Sequence, residues 1–135
     1  MISILITSGS RYPISRPKIK AKVTQMIEDS GLQDVEVSIL IAGERKLRQL
    51  NQQYRQLDQA TEVLAFPLEE PRDAEGILRL GDIVISYPQA QEIAREENKL
   101  VDEVINELVE HGLKHLLGFN HDNSLKFKVP TSKIF

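Results

Sequence analysis

The sequence predicts a single α+β domain, in which a mixed sheet of about four strands is packed with helices. Three observations predict it. Short apolar or alternating segments recur four times, at 2–7, 34–43, 61–68 and 80–86. Amphipathic stretches, with apolar residues three and four apart, stand between and after them. The two patterns do not alternate strictly, because two strands follow one another and a pair of helices comes after the last strand. With 135 residues, 41% hydrophobic and 27% charged, the chain is expected to form one domain over 1–135 around one core.

Each element has its own signal. "ISILIT" is read as the first strand, and the turn-rich "SGSRYPISRP" follows it. From Pro17 to Ser30 the spacing of Ile19, Val23, Met26 and Ile27 predicts a helix, which Gly31 stops. "DVEVSILIAG" alternates and then becomes fully apolar, as a second strand does. Gly43–Tyr54 is the second helix, with Leu47, Leu50 and Tyr54 on one face. "TEVLAFPL" and "LGDIVIS" are two further strands. The polar loop "EEPRDAEGILR" between them reads as the connection of a hairpin. From Pro88 the pattern is helical, with a boundary near Asn98–Lys99 because thirty unbroken residues would be unusually long. A final helix is expected from Leu100 to Leu117 with Gly118 as its cap, and then an irregular or strand-like tail.

Bulk composition excludes several function classes. No cysteine is present, so disulfide frameworks and thiolate metal sites are excluded. No run reaches the roughly 18 apolar residues of a membrane helix. "MISILITSGS" lacks the pattern of a cleaved leader, so a cytoplasmic location is expected. A net charge of −3 argues against a whole-surface grip on nucleic acid. The charge is uneven, however: residues 1–60 hold nine Lys/Arg against six Asp/Glu, and 61–135 hold eight against fourteen.

The chemistry concentrates in "EHGLKHLLGFNHDN", which holds all three histidines, His111, His115 and His121. Residues four apart share one face of a helix. His111 and His115 therefore belong on the stripe of Val104, Leu108 and Gly112, facing the sheet at the edge of the core. A break at Gly118 returns His121 toward the same point. Three imidazoles with an open fourth position suit a catalytic zinc, whose charge lowers the pKa of a bound water to about 7. The bland alternative is a set of hydrogen-bonded core histidines. The sequence reads His-Gly-Leu-Lys-His, without the glutamate of the metalloprotease His-Glu-x-x-His, and Glu110 points to another face.

At these residues the chain resembles a known family. "HGLKHLLGFNH" is similar to the His-Gly-x-Leu-His-Leu-x-Gly-Tyr-Asp-His signature of the YbeY family of metal-dependent endoribonucleases. "NQQYRQLDQATEVLAFP" (51–67) and "LGDIVIS" (80–86) resemble two more of its blocks, in the same order. The resemblance implies a zincin-like metal hydrolase fold and a single-strand-specific endoribonuclease. It also implies a role in ribosomal RNA maturation, at the 3′ end of the small-subunit RNA, and in ribosome quality control. One Zn2+ is then held by His111, His115 and His121, and the partners are RNA, pre-ribosomal particles and ribosomal proteins. Arg55 matches the family's functionally important arginine, and Arg55 and His111 are the catalytic candidates. A guanidinium meets the non-bridging oxygens of a phosphodiester with two parallel hydrogen bonds. Its structural alternative is an ion pair with Asp58 or Glu62.

Departures from the pattern are Lys114 for leucine, Asn120 for aspartate and Glu62 for aspartate. The family's acidic C-terminal helix is not recognisable in "DNSLKFKVPTSKIF". "TEVLAF" is expected to be an edge strand lining the cleft, with Leu64 and Phe66 packed in the core and Asp82 bracing its strand. Lys114 is expected either at the cleft rim, near an RNA phosphate, or with its tip extending into solvent. Two competing readings remain at this level: a peptidase, disfavoured by the missing glutamate, and a non-catalytic ribosome assembly factor with structural zinc.

Overall fold

The computed structural model describes residues 1–9, 11–55, 61–68 and 70–121, with residue 55 and residues 119–121 described by their backbone alone. The strands are β1 (Ile2–Ser8), β2 (Val35–Ala42), β3 (Val63–Pro67) and β4 (Leu78–Ser86); the helices are α1 (Arg16–Ser30), α2 (Glu44–Arg55), α3 (Tyr87–Glu97) and α4 (Val101–His121). One sheet forms in the order β1-β2-β4-β3, parallel except for the antiparallel β3–β4 pair. This is the expected α+β fold with a mixed four-stranded sheet, and β3 is an edge strand as anticipated.

Alternation along the strands decides what each face buries. Val35, Val37, Ile39 and Ile41 of β2 are all buried, as are Ile83 and Ile85 of β4 and Val63 and Ala65 of β3. They form the main core with Ile19, Val23 and Ile27 of α1 and the apolar residues of α3 and α4. The opposite face carries a smaller cluster of Leu47, Leu64 and Val84, covered by α2. Leu64 is therefore core, as expected; Phe66 is half-buried and its ring lies 5.3 Å from that of Tyr54.

Local chemistry sets the element ends. Ser15 caps α1 by accepting from the Lys18 N–H, and Gly31 ends the helix in the left-handed region at φ 83°. Ser86 caps α3 and is fully buried; Asn98, at φ 57°, ends that helix at the expected boundary.

Two expectations fail. β4 starts at Leu78 rather than Leu80. The register shifts there, so that Arg79 pairs with Glu36 and Gly81 with Val37, leaving Leu80 as the extra residue of a bulge. Such pairing is set by the neighbouring strand and leaves no local signal. The final helix does not end at Gly118; its backbone runs on to His121. Glycine permits a left-handed cap but does not impose one, and a helical glycine costs only about 1 kcal/mol against alanine. Leu116 and Leu117, both buried, hold the turn just before it.

Candidate functional site

The site is built on α4, which packs against β3, β4, α1 and α3. Two reciprocal contacts seat it on β4. Gly112 lies over Ile83, where a Cβ would meet Ile83 Cγ2 at 2.9 Å. Gly81, at φ 142°, lies under Leu116, where a Cβ would be 3.1 Å from Leu116 Cδ2 and would run into the Phe66 carbonyl. Two strand residues on span about 6.6 Å and four helix residues about 6 Å, so the paired contacts match in spacing. Each strand-facing position, 112 and 116, directly follows a histidine in sequence.

Rotation about α4 then fixes where the histidines stand. The Glu110 carboxylate meets Lys22 Nζ of α1 at 3.4 Å, so its flank faces α1. At about 100° per residue, His111 and His115 lie on the other flank, on the β3 side of the Gly112–Leu116 line. His115 is half-buried with a buried Nε2, and His111 is exposed. The expectation that both face the sheet from the core edge holds for His115 only. His111 lies one step further round, near the solvent pole of the helix.

His121 belongs to α4 by its backbone, but its side chain lies outside the described residues. Among the described residues no three His, Asp or Glu side chains come together. The return turn at Gly118, which would bring His121 back beside the other two, is absent from the described backbone.

Arg55 ends α2, and its side chain also lies outside the described residues. Its proposed ion-pair partner Asp58 is among those not described; so are the contacts that would test that pairing. What is described is the brace beside it. Asn51, one turn earlier and fully buried, donates from Nδ2 to Thr61 Oγ1 at 3.0 Å. The next residue, Glu62, accepts from the Ser86 N–H at 3.0 Å. The stretch leading into β3 is thus pinned to α2 on one side and to the end of β4 on the other. Sequence reasoning did not single out Asn51; its available signal was a polar residue on the buried stripe that starts at Leu47.

Two residues with assigned roles stand elsewhere. Lys114 Nζ lies 3.3 Å from Glu110 Oε2, while Lys22 Nζ meets the other carboxylate oxygen, Oε1, so the Lys114 ammonium is drawn to the α1 flank and not to the β3 side. These two lysines hold the Glu110 carboxyl below its usual range, the Lys114 hydrogen bond contributing most. Asp82 sits in mid-strand on the sheet face opposite α4. Partial desolvation raises its pKa, and a hydrogen bond from the Ser38 hydroxyl opposes the rise. It braces β4 against β2, its register partner being Ser38, and it is remote from the histidine flank.

The profile of the family described as Endoribonuclease YbeY matches residues 6–130. The chain belongs to the YbeY family. An "Endoribonuclease YbeY" of Anaeromyxobacter dehalogenans is 39% identical over 105 residues, covering 78% of this chain and 53% of that protein. A YbeY relative from Aquifex aeolicus is 37% identical over 109 residues, covering 81% of this chain and 71% of that one. The chain thus spans about half the length of the first of these YbeY proteins. The solution structure of TM1509 from Thermotoga maritima matches with a TM-score of 0.60 at 30% identity, covering 98% of this chain and 80% of that one. No helix among the described residues is long and apolar enough to cross a membrane.

Proposed function

We propose that this protein is a zinc-dependent endoribonuclease that cleaves single-stranded RNA, with small-subunit ribosomal RNA and pre-ribosomal particles as its natural substrates. The observation that carries this reading is the His111–His115 pair, held one turn apart on the β3 side of α4, in a chain whose relatives are named endoribonucleases. The described part of the donor set fits zinc: two neutral nitrogen ligands of the preferred type, with no thiolate anywhere in the sequence. His121 is the proposed third ligand. Residues six apart on a continuous helix stand about 240° apart, so His121 joins the pair only where the backbone leaves the helix at Gly118.

When bound, zinc supplies Lewis-acid charge and acidifies a coordinated water. The protein's own residues do the rest. His111 and His115 orient the ion from a helix that two glycine contacts fix against β4. Arg55 is assigned to the phosphate, where a guanidinium neutralises charge building on the non-bridging oxygens. The edge of β3 offers backbone groups along which an extended strand lies. Ribosome quality control and a cytoplasmic setting accompany this assignment as the family's expected role.

The test takes one purified sample, measures zinc by mass spectrometry, and assays cleavage of a single-stranded RNA with and without a chelator. Near one zinc per chain and chelator-sensitive cleavage are expected. Zinc-free protein cleaving at full rate overturns the metal assignment. Metal-loaded protein that cuts unstructured peptides but no RNA makes it a peptidase, and loaded protein that binds pre-ribosomal particles yet cuts neither makes it an assembly factor.

A further inference from the structure

The helix that ends at Arg55 is the most basic element of an acidic protein. Its twelve residues carry Arg45, Lys46, Arg48 and Arg55 against the single carboxylate Glu44, whereas the whole chain has a net charge of −3. That one carboxylate accepts a hydrogen bond from Gln89 Nε2 of α3 at 2.7 Å. Three of the four cations share one flank, and Lys46 stands off it. Positions 45, 48, 52 and 55 follow the spacing of three, four and three that keeps residues on one flank. They read Arg, Arg, Gln and Arg, with no acid among them. Arg45, Arg48 and Gln52 are exposed.

Packing decides which way this flank faces. Leu47 points to the sheet and is fully buried. Going round α2 from Leu47, Leu50 and Tyr54 lie in one sense, and Tyr54 packs on Phe66. Asn51 lies in the other sense and is tied to Thr61, ahead of β3. The stripe continues past Asn51 in that same sense. It therefore runs along the side of α2 that the Asn51–Thr61 bond holds toward the start of β3, and it ends at Arg55.

We infer that this flank of α2 is a track for the phosphodiester backbone of single-stranded RNA, in which Arg45, Arg48 and Gln52 hold the strand away from the α4 histidines and lead it to Arg55. This rests on the ribonuclease reading above and adds to it where the substrate lies. Guanidinium groups meet phosphate oxygens in bidentate fashion, and the Gln52 amide supplies a neutral donor between them. Contacts of this kind position a strand without reading its bases. The track therefore governs affinity and salt dependence, while cleavage depends on the α4 site and Arg55.

The experiment measures anisotropy of a fluorescent single-stranded RNA oligonucleotide, in chelator so that it is not cut, from 50 to 200 mM salt. The parent is compared with Arg45→Gln/Arg48→Gln, and with Lys18→Gln/Lys20→Gln as a charge-matched control on exposed positions of α1. Losing two phosphate contacts lowers the log–log salt slope by about 1.4, so over this range the parent's affinity falls about sevenfold more than the variant's. With metal restored, KM for this RNA rises in the α2 variant and stays at the parent value in the α1 control. Equal slopes for parent and α2 variant overturn the track, as does an equal loss in the α1 control. A parent that retains a polyglutamate peptide as tightly as the RNA also overturns it, since the flank is then a general acceptor of acidic chains. If the parent cleaves RNA and the slopes are equal, the track alone fails; if the parent neither binds nor cleaves RNA, the ribonuclease reading fails and the track with it.

Discussion

Single side chains divide into those that do chemistry and those that place it. Arg55→Ala is expected to leave the fold and zinc content unchanged and to lower RNA cleavage by about 10²–10³, the loss typical of one charge-stabilising donor. Arg55→Lys should recover little, because an ammonium does not reproduce the guanidinium fork. A fall in denaturation midpoint with no specific catalytic loss would instead identify Arg55 as a structural ion-pair partner. Lys114 belongs to neither class. Its contact with Glu110 directs it toward α1, so Lys114→Leu should leave the RNA salt slope at the parent value. Asp82 gives a pH signature. Its folded pKa is raised, so the folded state binds this proton more tightly than the unfolded one. The stability it contributes is present below its unfolded pKa and lost as pH rises through the folded value. Asp82→Asn should therefore raise the urea midpoint at pH 7, and the gain should shrink as pH falls toward 4.

Among the elements, α4 carries the most information, because its seating on β4 sets the height and rotation of two histidines. A methyl at Gly112 would stand 2.9 Å from Ile83 Cγ2 and 3.2 Å from Cγ1, inside a fully buried contact. Overpacking of this kind costs about 1–3 kcal/mol, against a helix-propensity gain of about 1 kcal/mol for alanine over glycine. Gly112→Ala should thus lose about 1 kcal/mol in urea denaturation and weaken zinc binding by more than that loss explains. Gly112→Ala/Ile83→Ala should restore zinc affinity while remaining less stable. Zinc binding equal to the parent in the single variant would show that the seating does not tune the site. The interaction is reciprocal: Gly81 accepts Leu116 as Gly112 accepts Ile83, and this pair of contacts fixes the slide of the helix along the strand.

For the molecule as a whole, the sheet sorts functions onto its two faces. The main core and the histidine helix lie on one face, α2 and its basic flank on the other, and the edge strand β3 runs between them. Acid should act on both levels at once. Zinc should dissociate as the medium is acidified, since imidazole ligates only when neutral. The Lys22–Glu110–Lys114 contact should weaken as pH falls through the lowered Glu110 pKa, because the stability it adds is present only while that carboxylate is charged. Zinc content and thermal midpoint followed together from pH 7 to 3 should both fall in metal-loaded protein. Metal that stays bound at pH 4 would argue against imidazole ligation.

The sequence by itself determined the α+β class, the number of strands, the boundary at Asn98 and the face that each strand buries, because period-two and period-3.6 burial are written locally. It also singled out the candidate ligands, since three histidines within eleven residues need no fold to be seen. Tertiary structure decided the rest. Strand order, the bulge at Leu80 and the placing of Glu36 opposite Arg79 depend on partners far along the chain. Tertiary structure brought Lys22 of α1 to the Glu110–Lys114 pair, left His111 exposed while His115 is half-buried, and carried α4 through Gly118. Each of these is set by which neighbour a helix flank meets, and a helical period gives only the angle between flanks, never the identity of what lies beside them.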